Sequence, residues 1–315
     1  MKPRALKKVI YGPIEVPSRM CLWHLLGLLT ALATSIAASQ VQSSALVAFS
    51  YSGQEHKKTF LSKNRVFEFP KLRRRNVKIE QKYKKDGAGL GSAVWDGAFV
   101  LADYLQGAEA LRGKGVVEVG CGLGLVSIVA ANSGAKRVIA TDGDTKLFTM
   151  LKRNIINNTD AEKINSEPPV GNGEDHAMTE VFVQPLRWGN TTQIDQIKRL
   201  CPNGAVDIVL AADVVFEHDP MKQTNDDLHQ ANTAFQELVD TFFLLAHRNT
   251  VVWLAYKHRY KRENSFFGKV KEHFSLETIP RSKIHRDFIK AKIKIYKLTL
   301  KVDNAQTLKK PRDDL

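Results

Sequence analysis

Cysteine is scarce in this chain, which has only Cys21, Cys121 and Cys201 among 315 residues. Their spacing matches neither a zinc-ligand pattern nor a CxxC redox motif, and three cysteines cannot all pair within one chain. The pattern therefore excludes a cysteine-based zinc site and a fully paired disulfide framework. A reduced, intracellular protein is the simplest expectation.

Acidic residues are almost missing from the first part of the chain. Residues 1–85, the basic leader, contain 17 Lys+Arg and 4 Asp+Glu, whereas residues 86–315 contain 30 and 29, so the leader carries +13 of the net charge of +14. A nucleic-acid enzyme usually carries its basic patch on the folded domain, so nucleic acid is not the expected partner. A basic leader fits an acidic partner or an anionic membrane surface equally well.

The chain also lacks an apolar run of the ~20 residues that a spanning helix needs. Its most apolar stretch is Cys21–Ala38, which His24, Thr30 and Thr34 interrupt. A signal sequence, an uncleaved anchor, a mitochondrial presequence and a disordered start all remain open. We expect a cytoplasmic protein, with membrane contact or mitochondrial import through residues 1–38 as the alternatives.

Internal repeats are absent, and from residue 93 onward short apolar runs alternate with amphipathic segments. This alternation predicts an α/β, Rossmann-like, doubly wound and mostly parallel sheet, with 293–300 as an antiparallel edge strand. The chain then divides into a targeting or anchor segment (1–53), a basic linker with a short hairpin (54–92), the catalytic domain (93–301) and a polar tail (302–315). The predicted strands are 116–119, 137–141, 181–184, 207–211, 251–256 and 293–300, and the predicted helices begin near 93, 123, 145, 231 and 265.

A glycine-rich loop connects the first predicted strand of the domain to the next helix. It reads Glu118-Val-Gly120-Cys121-Gly122-Leu-Gly124, and its glycines let the main chain approach a ligand at the carboxyl end of the strand. Asp142 lies 22 positions after Gly120, at the end of the second strand. A carboxylate there can accept hydrogen bonds from both hydroxyls of a ribose, so the pattern predicts a nucleoside site.

The spacing of these glycines argues against a nicotinamide dinucleotide. The dinucleotide fingerprint is G-x-G-x-x-G around a pyrophosphate, whereas this loop reads G-x-G-x-G. The carboxylate of Glu118 would repel a pyrophosphate. It would suit a ligand that carries an ammonium and a sulfonium group, as S-adenosylmethionine does.

A series of motifs resembles the seven-β-strand protein-lysine methyltransferases of the methyltransferase-like class. The motifs, in order, are Ala93–Asp96, Val117–Gly124, Thr141–Asp142, Leu186–Gly189 and Ala212–Phe216. The resemblance covers residues 90–300 and implies a seven-stranded sheet, S-adenosyl-L-methionine as cofactor and a monomer. It implies that the cofactor contacts Trp95, Gly120, Cys121, Gly122, Asp142, Trp188 and Ala212, beside the loop residues Glu118 and Gly124. The segment Tyr256–Phe267 most resembles the branch that methylates heat-shock chaperones of the seventy-kilodalton class, and a related branch acts on an AAA-type ATPase.

Methyl transfer from a sulfonium needs no metal, but the target ammonium must lose a proton before it can attack. Asp213 is the candidate to orient the amine, and Phe216 and Tyr256 are candidate walls of the lysine channel. The family usually has Tyr where this chain has Phe216, and the loop 217–230 is longer than the family's. A methyltransferase for small molecules or nucleic acid, a non-catalytic binding module and an NAD-dependent oxidoreductase remain as alternatives. The Asn/Asp-Pro-Pro-Tyr/Phe signature for base amino groups is absent after the fourth strand.

Overall fold

The computed structural model describes residues 62–82, 89–160, 179–215, 225–259 and 263–301. The apolar stretch 21–38, residues 161–178, Phe216 and the tail 302–315 therefore lie outside the described residues. Among the helices that the structure does describe, none combines the length and the apolar character needed to cross a membrane.

Nine strands and six α-helices make up the described part of the chain. The strands are β1 (Asn64–Glu68), β2 (Asn76–Glu80), β3 (Gly115–Val119), β4 (Arg137–Asp142), β5 (Glu180–Pro185), β6 (Ile208–Ala212), β7 (Val251–Lys257), β8 (Phe274–Thr278) and β9 (Ile293–Leu300). The helices are α1 (Asp96–Leu105), α2 (Leu125–Asn132), α3 (Phe148–Asn158), α4 (Thr191–Leu200), α5 (Asn225–Leu245) and α6 (Asn264–His273).

Seven of these strands form one sheet in the order β5-β4-β3-β6-β7-β9-β8. The five strands β3 to β7 pair in parallel, and β9 runs antiparallel to both β7 and β8. The predicted α/β class with a mostly parallel, seven-stranded sheet is confirmed. The antiparallel strand β9 lies one position inside the edge, because β8 pairs along its outer side. Strand β8 was not predicted from the sequence, because it follows helix α6 directly and no turn residue separates the two elements.

The sheet is covered by helices on both faces, as the doubly wound prediction requires. Every residue of β3 is buried, and its side chains alternate between the two layers. Val116 belongs to the core with helices α1, α2 and α3, whereas Val117 and Val119 belong to the core with α4, α5 and α6. Burial on both sides explains why β3 is a continuous apolar run apart from Glu118.

The hairpin of β1 and β2 packs on the first of these layers. Phe67 and Phe69 lie 5.9 and 5.8 Å from the ring of Phe99 in α1. Asn154 and Asn158 of α3 accept hydrogen bonds from the backbone N–H groups of β2 at 2.9 and 2.8 Å. The hairpin is thereby fixed to the sheet domain, and it leads the chain into the segment that borders the pocket described next.

Candidate active site

A pocket of about 1250 Å³ opens at the carboxyl ends of β3, β4 and β6. It lies where the chain order reverses, since β4 is on one side of β3 and β6 is on the other. Open α/β sheets bind their ligands at this crevice. Nine residues predicted from the sequence line it: Trp95, Glu118, Gly120, Cys121, Gly122, Asp142, Trp188, Ala212 and Asp213.

The glycine loop after β3 is closely packed at Gly122. Its φ of +52° lies in the left-handed region, and a Cβ there would be 2.8 Å from the backbone oxygen of Gly91. Gly124 also has a left-handed φ, of +84°, and is the N-cap of α2, where a Cβ would be 2.5 Å from a methyl carbon of Leu151. Gly124 is not among the residues that line the pocket. It shapes the loop by packing against α3.

Asp142 connects the end of β4 to the glycine loop. Its Oδ2 accepts a hydrogen bond from the N–H of Gly122 at 2.8 Å, and its Oδ1 accepts one from the N–H of Asp144 at 2.9 Å. Burial raises the pKa of Asp142, against the effect of these backbone hydrogen bonds. Each carboxylate oxygen keeps a second lone pair, so the side chain can still accept hydrogen bonds from two ligand hydroxyls.

Glu118 is a buried carboxylate at the floor of the pocket. One of its oxygens accepts hydrogen bonds from the backbone N–H of Ser127, at 2.7 Å, and from the Ser127 hydroxyl. Burial raises the pKa of Glu118 to about 8, despite those hydrogen bonds, and the charge of Asp142 raises it further. A cation placed in the pocket would lower this pKa again, because it favours the ionised carboxylate.

Two tryptophans stand on the rim of the pocket. The indole N–H of Trp95 donates to the carbonyl of Leu90 at 2.8 Å, which fixes the ring at the start of α1. Trp188 follows β5 and packs against the core beneath α4 and α5. The next residue, Gly189, donates its N–H to the Thr241 hydroxyl of α5 at 2.8 Å. The Trp95 ring is therefore held by its own hydrogen bond, and the backbone next to Trp188 is held by α5.

Asp213 joins three elements at the end of β6. Its Oδ2 accepts a hydrogen bond from the N–H of Gly97 in α1 at 2.6 Å, and its Oδ1 forms an ion pair with Arg259 at 3.0 Å. Burial raises the pKa of Asp213, and the charge of Arg259 opposes that shift. The residue itself has a left-handed φ of +52°, which Asp tolerates better than most side chains. It therefore ties the end of β6 to both α1 and the segment after β7.

A second ion pair reinforces this connection. Lys257 at the end of β7 lies 2.9 Å from the carboxylate of Asp96, the first residue of α1. Negative charge is favourable at a helix N-terminus, and both Asp96 and Asp213 supply it there. The structure shows that Lys257 and Arg259 pair with carboxylates of α1 and of the pocket.

Tyr256 does not line the pocket. Its hydroxyl donates to the buried carboxylate of Glu263 and lies 2.9 Å from Nδ1 of His258. Its ring lies 5.1 Å from that of Phe267 in α6. Burial raises the pKa of Tyr256, and the hydrogen bond to Glu263 adds to the shift. Phe216, the other predicted channel wall, lies outside the described residues.

Several polar residues of the pocket were not predicted from the sequence. Helix α5 contributes Glu237 and Asp240, and the loops contribute Asp144, Lys146, Arg187 and Asn190. Glu237 and Asp240 are three residues apart, a spacing that places both on one face of a helix. That spacing was visible in the sequence, but only the fold shows that this face turns toward the pocket.

Comparisons with known proteins point to one family. The profile of a family described as "Lysine methyltransferase" matches residues 71–273. The mouse protein N-lysine methyltransferase METTL21A is 32% identical over 67% of this chain and 78% of its own length. The mouse protein-lysine methyltransferase METTL21E is 34% identical over 66% of this chain and 70% of its own length. A solved magnesium protoporphyrin IX methyltransferase from Synechocystis, with bound SAM, is 18% identical over 64% of this chain and 76% of that chain. Its TM-score of 0.37 is too low to support an inference.

The family match spans well over half of the chain, and its residues include the glycine loop, Asp142 and Asp213. The predicted resemblance is confirmed. The enzyme is a methyltransferase with S-adenosyl-L-methionine as its cofactor. The chain belongs to the lysine methyltransferase family.

Proposed function

We propose that this enzyme methylates a lysine side chain on a folded ATPase, with heat-shock chaperones of the seventy-kilodalton class preferred and AAA-type ATPases second. The observation that carries the proposal is the buried carboxylate of Asp213, held at the pocket by Gly97 and Arg259. The relatives named as protein N-lysine methyltransferases support the reaction. The chaperone class is supported by the resemblance of Tyr256–Phe267 alone.

The pocket's chemistry fits the donor. When bound, S-adenosylmethionine supplies a methyl group on a positively charged sulfur. In our proposal Asp142 accepts hydrogen bonds from the ribose hydroxyls, and Glu118 faces the ammonium group. The lone pairs that remain on Asp142 support the first role, and the buried carboxyl of Glu118, which a bound cation would ionise, supports the second.

The remaining contacts are with loop backbone and apolar surface. In our proposal Gly120, Cys121 and Gly122 approach the methionine part, because the loop brings its main chain to the pocket wall. Trp95, Trp188 and Ala212 would supply the apolar walls. Gly124 would support the loop from outside the pocket.

The protein's task at the acceptor side is to hold a neutral amine. A lysine ammonium has a reference pKa of about 10.4 and has no free lone pair until it loses a proton. Desolvation in a narrow channel lowers that pKa. We propose that Asp213 orients the amine through the lone pairs not used by Gly97 and Arg259, and that Phe216 forms a channel wall. Tyr256 would act as a positioning residue, since its hydroxyl holds Glu263 and the segment that carries Arg259.

The test offers the purified enzyme a seventy-kilodalton chaperone, the same chaperone with its lysines replaced in turn, an AAA-type ATPase and bare nucleic acid. Mass spectrometry then locates the added methyl groups. We expect one chaperone lysine to be modified and nucleic acid to stay unmodified. Methyl groups on arginine, on a terminal amine or on nucleic acid would refute the proposed substrate class.

The assay also separates catalysis from cofactor binding. Asp213→Ala should reduce methyl transfer far more than it reduces affinity for S-adenosylhomocysteine, because Asp213 would act on the amine and not on the donor. Equal losses in both measurements would assign Asp213 to the cofactor site instead.

A further inference from the structure

A strongly basic segment connects the outer strands of the sheet. Residues 281–294, which we call the basic strip, run from just after β8 into the start of β9. The strip contains six Lys or Arg residues and one acid, Asp287, whereas the rest of residues 86–315 contains 24 Lys+Arg and 28 Asp+Glu. All six cations are exposed: Arg281, Lys283, Arg286, Lys290, Lys292 and Lys294. The strip is therefore a positive surface on a part of the chain, residues 86–315, that is otherwise slightly negative.

Within the described residues, these charges are scarcely neutralised by carboxylates. Asp287 lies 3.7 Å from Nε of Arg286, whose side chain is 91% exposed. Such exposed pairs contribute little free energy. No other carboxylate among the described residues lies within 4.0 Å of a Lys or Arg of the strip.

The strip has a defined backbone. Lys292, with a left-handed φ of +57°, ends the short 3-10 helix Arg286–Ala291, and its carbonyl accepts a hydrogen bond from the N–H of His258. One further feature is not needed by a merely solvated loop. Ile289 is 40% exposed in the middle of the cations. Beneath them, the ring of Phe288 packs 5.3 Å from Phe99 of α1, which anchors the strip to the domain.

The strip lies beside the acceptor side of the pocket. The N–H of His258 donates to the carbonyl of Lys292 at 3.4 Å, and Lys257 pairs with Ile293 across β7 and β9. Lys257 and Arg259 are the residues whose ion pairs hold Asp96 and Asp213. A protein whose lysine enters the channel at Asp213 would therefore have its surface close to the strip.

We propose that the basic strip docks an acidic surface of the protein substrate next to the target lysine, an inference that rests on the proposed function. Opposite charges on the two surfaces speed association and select the partner, and Ile289 provides an apolar contact among them. A single-stranded nucleic acid would need exposed aromatic rings for its bases. The strip's only aromatic residue besides His285 is Phe288, which is buried.

The test compares two charge-reversed forms of the full-length enzyme. The strip variant carries Lys290→Glu, Lys292→Glu and Lys294→Glu. The control variant carries Lys136→Glu, Arg199→Glu and Arg248→Glu, three exposed cations near the amino ends of the parallel strands. Both variants change the net charge equally. Unchanged affinity for S-adenosylhomocysteine and an unchanged melting temperature show that each is folded.

Steady-state kinetics with the seventy-kilodalton chaperone give the first result. We expect the strip variant to raise KM for the chaperone about tenfold, with kcat within about twofold, because the charges act before the chemical step. KM should also lose most of its dependence on salt. The control variant should behave like the unmodified enzyme. Equal KM values for all three proteins would overturn the docking proposal and leave the proposed function standing.

If the chaperone is not methylated, the proposed substrate is refuted, but the docking proposal is not yet tested. A binding measurement then tests the docking proposal. Fluorescence anisotropy would follow labelled poly-L-glutamate and a labelled DNA duplex of similar charge. The basic leader is common to all three proteins, so differences between them report the strip. Weaker poly-glutamate binding by the strip variant alone would support the docking proposal. Equal binding by all three proteins, or a strip-dependent preference for DNA, would overturn it.

Discussion

The substitution Gly97→Ala tests the contact between Gly97 and Asp213. Helix propensity alone predicts that this substitution stabilises the enzyme, whereas the contact with Asp213 predicts that it destabilises it. Replacing a helical glycine by alanine usually stabilises a protein by about 0.5–1 kcal/mol. At Gly97, however, the new Cβ would be 2.5 Å from Oδ2 of Asp213. The carboxylate must move, and its hydrogen bond from the Gly97 N–H, a charged bond of about 1.5–3 kcal/mol, is weakened or lost. We expect Gly97→Ala to destabilise the enzyme by about 0.5–2 kcal/mol, since the lost bond outweighs the helix propensity.

Thermal unfolding of four proteins measures this effect: the unmodified enzyme, Gly97→Ala, Asp213→Ala and the double variant. A loss of that size lowers the melting temperature by about 1–8 °C in a domain of this size. In the Asp213→Ala background the obstruction is gone, so Gly97→Ala should become stabilising. Methyl transfer by Gly97→Ala should fall, while affinity for S-adenosylhomocysteine changes little. A melting temperature that rises for Gly97→Ala in the unmodified background would refute the reasoning.

Four further predictions follow from the site and the chain's organisation. Asp142→Ala should weaken binding of S-adenosylhomocysteine by about 1.5–3 kcal/mol in calorimetry, and tight binding of NAD would contradict the assigned cofactor. Glu118 has a pKa of about 8 in the folded enzyme against an ordinary 4.5. Its contribution to stability is therefore present below about pH 4.5 and is lost as the pH rises to about 8, by about 1.4 kcal/mol per unit. Denaturant unfolding should show this slope flattened in Glu118→Gln, and an unchanged slope would rule Glu118 out as its source. Tyr256→Phe should lower the free energy of unfolding by about 1–3 kcal/mol, because Glu263 loses a buried donor. A large fall in kcat with unchanged stability would instead make Tyr256 catalytic. Deleting residues 1–53 should leave methyl transfer intact, and loss of all activity with cofactor binding retained would place the leader in the active site.

The sequence predicted the positions of the residues around the glycine loop better than those of the residues around Asp213. The glycine loop and Asp142 follow strands at fixed short spacing, so their positions depend on local structure that the residue pattern determines. Asp213 was also placed correctly at the end of a strand. Its partner Gly97 is 116 positions away, and that contact depends on how α1 packs across the sheet. No pattern of residue types specifies it.

The contacts of the hairpin and of helix α5 also depend on tertiary structure that the residue pattern does not specify. The apolar residues of β1 and β2 predicted a hairpin, but its packing on Phe99 depends on tertiary structure. Glu237 and Asp240 belong to a helix that was predicted from the sequence. They line the pocket because α5 packs against the loop at Gly189, whose N–H donates to Thr241.

Three consecutive residues at the start of α1 have consequences for engineering this enzyme. Trp95 stands in the pocket wall, Asp96 pairs with Lys257, and Gly97 holds Asp213. A graft that exchanges only residues 257–259 for those of a relative would separate Lys257 from the carboxylate of Asp96, with which it is paired. Chimeric enzymes with new targets should therefore exchange residues 95–97 and 257–259 together. The substrate could then be changed while the affinity for S-adenosylmethionine is kept.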